Sequence, residues 1–144
     1  MSEPVSDLQN LLTTMSPQLN ALNVAFVSLV EPSAALAMLP SESVISTFRE
    51  SEGTTLIVEL RAAEQAGLPI LFRAAWITLT VHSDLEAVGL TAAFARALGD
   101  AGISCNVVAA AFHDHIFVPI EKAELTMNAL RDLQVRAAAK IDNS

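Results

Sequence analysis

Two imidazoles flanking a carboxylate, His113 and His115 around Asp114, are where the sequence comes nearest to metal chemistry. Residues two apart on a strand share a face, so both rings could turn to one ion. Two ligands do not complete a site, and a third would have to come from His82 or a distant carboxylate. The plain alternative is a turn that joins two strands. Nucleophilic catalysis is served less well. Cys105 is the only cysteine, has no basic neighbour in sequence and sits in an apolar segment, where a thiol is usually inert. Ser83 and Ser104 lack the G-x-S-x-G setting of a nucleophile elbow. The five glycines are scattered and form no phosphate loop. These residue types do not by themselves complete a catalytic set.

The 144 residues have room for one compact domain or for two very small ones that share a core. Hydrophobic residues make up 52 % and charged ones 17 %, and the mean hydropathy is +0.45. Such a balance predicts buried subunit contacts, hence a homodimer or higher oligomer. Apolar runs such as residues 107–112 fall far short of the ~20 residues that span a bilayer, so no membrane partner is expected. The opening MSEPVSDLQN is acidic and polar where a signal peptide needs a basic start and an apolar stretch. With a lone cysteine, this places the protein in the cytoplasm. A net charge of −8 and a pI near 4.7 oppose the phosphate backbone, which excludes nucleic acid.

The elements that must position these residues follow from periodicity. Val5, Leu8, Leu11, Leu12 and Met15 recur at helical spacing behind an S-x-x-Q capping box at Ser6, and Ser16-Pro17 ends that helix. Strands are expected at 25–30, 44–49 and 55–60, with a short helix at 33–39 and turn chemistry at 50–53 making the last two strands a hairpin. A helix at 61–66 closes on Gly67. Residues 76–82 alternate, with Ile77, Leu79 and Val81 on one face and Trp76, Thr78, Thr80 and His82 on the other. Ser83 and Glu86 form an S-x-x-E capping box, and Leu90, Phe94, Leu98 and Ala101 lay an apolar stripe on the helix it opens. Gly102 suits a left-handed C-cap with Ile103 as its hydrophobic contact. Strands at 105–111 and 115–119 form a second hairpin. A final helix at 121–136 buries Ala123, Met127 and Leu130, and a tail at 137–144 frays.

The second half therefore reads β-α-β-β-α, and the first half resembles it weakly. At an offset of 60 residues, Leu56-Ile57-Val58 falls on Ile116-Phe117-Val118, Leu60 on Ile120, Ala63 on Ala123 and Glu64 on Glu124. The strands starting near Ala25 and Trp76 lie only about 50 apart, so the first copy has a shortened segment after its first strand.

These residues also carry a family resemblance. The runs ITLTVHSDLEAVGLTAAF from Ile77, AGISCNVV from Ala101, HDHIFVP from His113 and STFRESEGTTL from Ser46 resemble small bacterial tandem ACT-domain proteins of unknown function. The similarity spans roughly residues 8–133, and the second half is more distantly similar to the regulatory ACT domains of aspartokinases. The resemblance implies an α+β fold: two ACT-like, ferredoxin-like βαββαβ sandwiches sharing a continuous antiparallel sheet or interface. The expected division is a degenerate domain at 1–72, an ACT domain at 73–136 and the tail. The last strand of the second sandwich would come from residues 70–75 or from a partner chain, since Ala137-Ala-Ala-Lys is a poor strand.

The resemblance further implies an effector site at a domain or subunit interface, between the loop after the first strand and a facing second strand. A free amino acid needs donors for its carboxylate beside an acceptor for its ammonium. The helix start near Ser83, Leu85 and Glu86 offers backbone N–H groups and a positive dipole end. Asn106 could add amide contacts, and Asp84 or Asp114 could receive the ammonium. Gly89 lets a backbone approach, and Val88 and Leu90 could wall off a side chain. Each residue also has a plain structural explanation. Ser83 and Glu86 serve equally as caps, and Glu86 would repel a carboxylate; Asn106 suits the start of a strand, and Gly89 suits tight packing. The expected function is a stand-alone regulatory protein without a cofactor. It binds a free amino acid or similar small effector and signals to a separate metabolic enzyme. The alternatives are a small metal-dependent enzyme using His113 and His115, or a ligand-free assembly module.

Overall fold

The structure is a computed structural model that describes residues 7–80 and 89–142. In chain order its elements are α1 (Asp7–Thr14), β1 (Ser16–Leu19), β2 (Val24–Leu29), α2 (Ser33–Met38), β3 (Val44–Arg49), β4 (Thr54–Glu59), α3 (Leu60–Gln65), β5 (Ile70–Thr80), α4 (Leu90–Asp100), β6 (Asn106–Ala109), β7 (Asp114–Pro119) and α5 (Ala123–Asp142). They group into two compact units, residues 21–75 and residues 1–20 with 76–144. Among the described residues no helix is long and apolar enough to cross a membrane.

Residues 21–75 form a complete βαββαβ unit, with strand order β3-β4-β2-β5 and antiparallel pairing. The β3–β4 hairpin forms where the turn residues predict it. Glu50 N–H donates to Gly53 O at 3.0 Å, Gly53 N–H returns the bond to Glu50 O at 3.3 Å, and Thr55 Oγ1 donates to the Glu50 carboxylate at 2.7 Å. Alternation along the strands turns Ala25, Val27, Leu56 and Val58 to one face, where Leu39 and Ala63 of α3 close the core. Burying each Leu or Val contributes roughly 1.5–3 kcal/mol. On the opposite face Phe26 meets Phe72 edge-on, with ring centroids 5.6 Å apart.

The second unit uses the remaining residues of β5. Residues 77–80 pair antiparallel with β1, from Ser16 opposite Thr80 to Leu19 opposite Ile77. β7 lies beside β5 and pairs antiparallel with β6, giving the order β6-β7-β5-β1. This repeats the order of the first unit, with β1 in the place of the fourth strand. That strand therefore comes from the N-terminal segment, and neither from residues 70–75, which complete the first unit, nor from a partner chain. The four residues Ser-Pro-Gln-Leu gave no strand signal of their own, because proline and a single apolar side chain mask the period of two.

Helices α1, α4 and α5 serve this unit. α1 buries Leu12 and its following residue Met15, and it packs against α5 and α4. Gln134 Nε2 of α5 donates to Leu12 O at 3.3 Å and to Met15 O, holding the last carbonyls of α1. α4 buries Leu90, Phe94 and Leu98 and ends in a Schellman motif. There Ile103 N–H donates to Leu98 O at 2.9 Å and Gly102 N–H to Gly99 O at 3.0 Å, with Gly102 at φ +74°.

The repeat is visible in register. Arg49 faces Thr54 as Ala109 faces Asp114, and Ser46 faces Ile57 as Asn106 faces Phe117, all at the offset of 60. Two expectations change. The tail expected to fray continues α5 to Asp142, because Ala137 is buried and extends the helix's inner face. That face carries Thr126 rather than Ala123, and the Thr126 hydroxyl is satisfied by donating to Lys122 O at 2.8 Å.

Candidate functional site

The expected effector site centres on the segment between β5 and α4. Ser83, Asp84, Leu85, Glu86 and Val88 lie outside the described residues. Gly89 does not sit inside a helix. It is the residue before α4, in the left-handed region at φ +99°. Leu90 is 3 % exposed and belongs to the buried stripe of α4. Only glycine adopts this conformation without strain, and a Cβ at Gly89 would stand 3.3 Å from Leu8 Cδ2. Gly89→Ala is therefore expected to lower stability by about 1–2 kcal/mol in urea denaturation; an unchanged midpoint would contradict the left-handed turn.

Asn106 is exposed at the start of β6, the outer strand of its sheet, and its Nδ2 donates to Phe117 O at 3.4 Å. Asp114 is half-buried at the far end of the same hairpin, opposite Ala109. The two side chains lie three register steps apart along the hairpin, and alternation puts them on opposite faces. The structure does not bring Asn106 and Asp114 together. Burial pushes the Asp114 carboxyl above its ordinary range, and the adjacent His115 partly opposes this.

A different cluster does assemble. Trp76 Nε1 donates to His115 Nδ1 at 3.0 Å, and Thr78 Oγ1 lies 3.2 Å from the same nitrogen. Asn20, just past β1, donates through Nδ2 to Thr78 Oγ1 and to Trp76 O, both at 3.0 Å, while its backbone N–H donates to Trp76 O at 2.9 Å. Trp76 also stacks on Phe117, with centroids 6.4 Å apart and planes 22° apart. The alternation of residues 76–80 already put Trp76 and Thr78 on one face. Nothing in sequence tied Asn20 or His115 to them, because that pairing depends on β1 and β7 flanking β5.

This cluster alters the metal reading of His113 and His115. The His115 Nδ1 lone pair is taken by an indole N–H, and among the described residues no three of His, Cys, Asp and Glu come together to hold an ion. His82 lies outside the described residues. Cys105 is half-buried, and burial pushes its thiol pKa up, away from the reactive thiolate.

Comparison with known proteins agrees with the topology. Residues 3–75 match an ACT-domain family and residues 71–132 match a second one. No curated protein matches the chain. Among solved structures, a Vibrio cholerae protein of unknown function, described as a possible transport protein, is 46 % identical over 90 % of this chain and 98 % of its own, with a TM-score of 0.78. The ligand-free regulatory subunit of aspartate kinase from Thermus thermophilus is 14 % identical over 85 % of this chain and 97 % of its own, with a TM-score of 0.63. A protein from Agrobacterium tumefaciens is 16 % identical over 83 % and 89 %, with a TM-score of 0.60. Two ferredoxin-like units with the same strand order, each matched by its own ACT model, identify the chain as a tandem member of the ACT-domain family.

Proposed function

We propose that this protein is a regulatory binding protein whose effector is a free amino acid or similar small molecule, and that it signals to a separate metabolic enzyme. The observation that carries the reading is the left-handed Gly89 turn that leads into α4, the helix that follows the first strand of the second ACT unit in chain order. A helix start of this kind offers backbone N–H groups to a carboxylate. The proposed site comprises Ser83, Asp84, Leu85, Glu86, Val88, Gly89 and Leu90, with Asn106 on the second strand. Asp84 is the better acceptor for the ammonium, since Asp114 lies on the other face of its hairpin from Asn106. The aspartate kinase regulatory subunit, similar over 97 % of its own length, supports by analogy an output in a partner enzyme rather than catalysis here. The same reading places the protein in the cytoplasm with no cofactor.

Thermal-shift measurements against the standard amino acids and divalent metals test the site. An effector at about 100 times its Kd stabilises by about 2.7 kcal/mol, a rise of roughly 5–10 °C for a chain of this size. Loss of that rise in Asp84→Ala and Asn106→Ala supports the site. A rise with metal alone, abolished by His115→Ala, would overturn it. We also infer a homodimer or higher oligomer, since Phe48 on the outer strand β3 is 71 % exposed and the composition is strongly apolar. A monomer by light scattering at micromolar concentration would refute the oligomer.

A further inference from the structure

The hydrogen bonds around His115 have a fixed direction. An indole N–H only donates, so His115 Nδ1 must accept from Trp76 and carry no proton. The Asn20 amide donates to Thr78 Oγ1, which leaves the Thr78 hydroxyl hydrogen free to turn toward the same imidazole nitrogen. The ring is thus held neutral with its proton on Nε2. Adding a proton places Nδ1–H against the Trp76 N–H, two donors facing one another across 3.0 Å. The charged ring still has one partner, because Thr78 Oγ1 at 3.2 Å can reverse its role and accept.

We propose that Trp76, Thr78 and His115 form a proton-operated latch: neutral His115 holds the Trp76 indole, and protonation passes the imidazole to Thr78 and releases the indole. Among the described residues, His113 and Asp114 are the titratable groups of His115's own hairpin, while residues 16–19 of β1, 76–80 of β5 and 106–109 of β6 carry no acidic or basic side chain. α5 packs on β7 and carries Glu124, Arg131, Asp132, Arg136, Lys140 and Asp142. Burial pushes the His115 pKa below its ordinary 6.5, His113 adds to this, and Asp114 opposes it. A histidine held neutral in the fold contributes fully above pH 6.5, and that contribution is lost as pH falls through the folded pKa.

Trp76 is the sole tryptophan, so its one indole N–H resonance reports the latch in the intact chain. Long-range proton–nitrogen spectra at neutral pH are expected to show His115 protonated on Nε2; a ring protonated on Nδ1 would overturn the proposal. On acidification the His115 and indole resonances should share one midpoint below 6.5, and indole exchange protection should fall about tenfold. An indole that ignores the His115 titration would overturn it. In His113→Gln the shared midpoint should move up, with the indole still following. In His115→Gln the acid transition should vanish, and its survival would overturn the latch; the wild-type tautomer decides the matter if that variant misfolds.

Discussion

Deleting residues 1–20 is expected to unfold the unit formed by residues 76–142. The segment supplies β1, which covers the open side of β5 from Ile77 to Thr80, and it buries Leu12 and Met15 against the helices. Those two side chains alone account for about 3–6 kcal/mol, and the β1 ladder and the Gln134 bonds add to it. Against a typical domain stability of about 5–15 kcal/mol, little would remain. The Trp76 emission should move to that of a solvated indole and far-UV circular dichroism should lose its cooperative melt. Retention of both would mean that β1 and α1 are dispensable, contrary to the pairing. The same deletion removes Asn20, so it also releases the carbonyl of Trp76.

Phe94→Ala should produce the largest loss of any single substitution considered. Phe94 is fully buried at the middle of α4, one turn from both Leu90 and Leu98. Truncating a buried phenylalanine removes its transfer free energy and leaves a cavity that neighbours only partly fill, at a cost of about 3–5 kcal/mol. Urea denaturation followed by Trp76 fluorescence measures it. As a control, Leu125→Ala on α5, where the side chain is 44 % exposed, should change stability far less. Equal losses for the two would show that α4 does not face the core as the structure has it.

The elements themselves were largely legible. The stripe of Leu90, Phe94 and Leu98, the Gly102 cap with Ile103 and the two hairpins at an offset of 60 are local patterns, and each appears in the structure. The proposed effector site was legible only through resemblance. Its residues Ser83 to Val88 carry no periodic signal that separates a binding loop from a helix cap. The first half of β5 escaped alternation because Arg73, Ala74 and Ala75 interrupt the period of two, with Arg73 exposed.

What the sequence determined alone was local: helices with apolar stripes, strands with alternating faces and a duplicated hairpin. These follow from backbone geometry and side-chain pattern within a dozen residues. Two features required the tertiary structure. The fourth strand of the second ACT unit is β1, more than 50 residues before its partner in β5, and a four-residue strand with a proline has no signature until that partner exists. The donor chain from Asn20 through Thr78 to His115 and Trp76 depends on the same pairing, because three separate strands must bring those side chains to one face before any hydrogen bond between them can form.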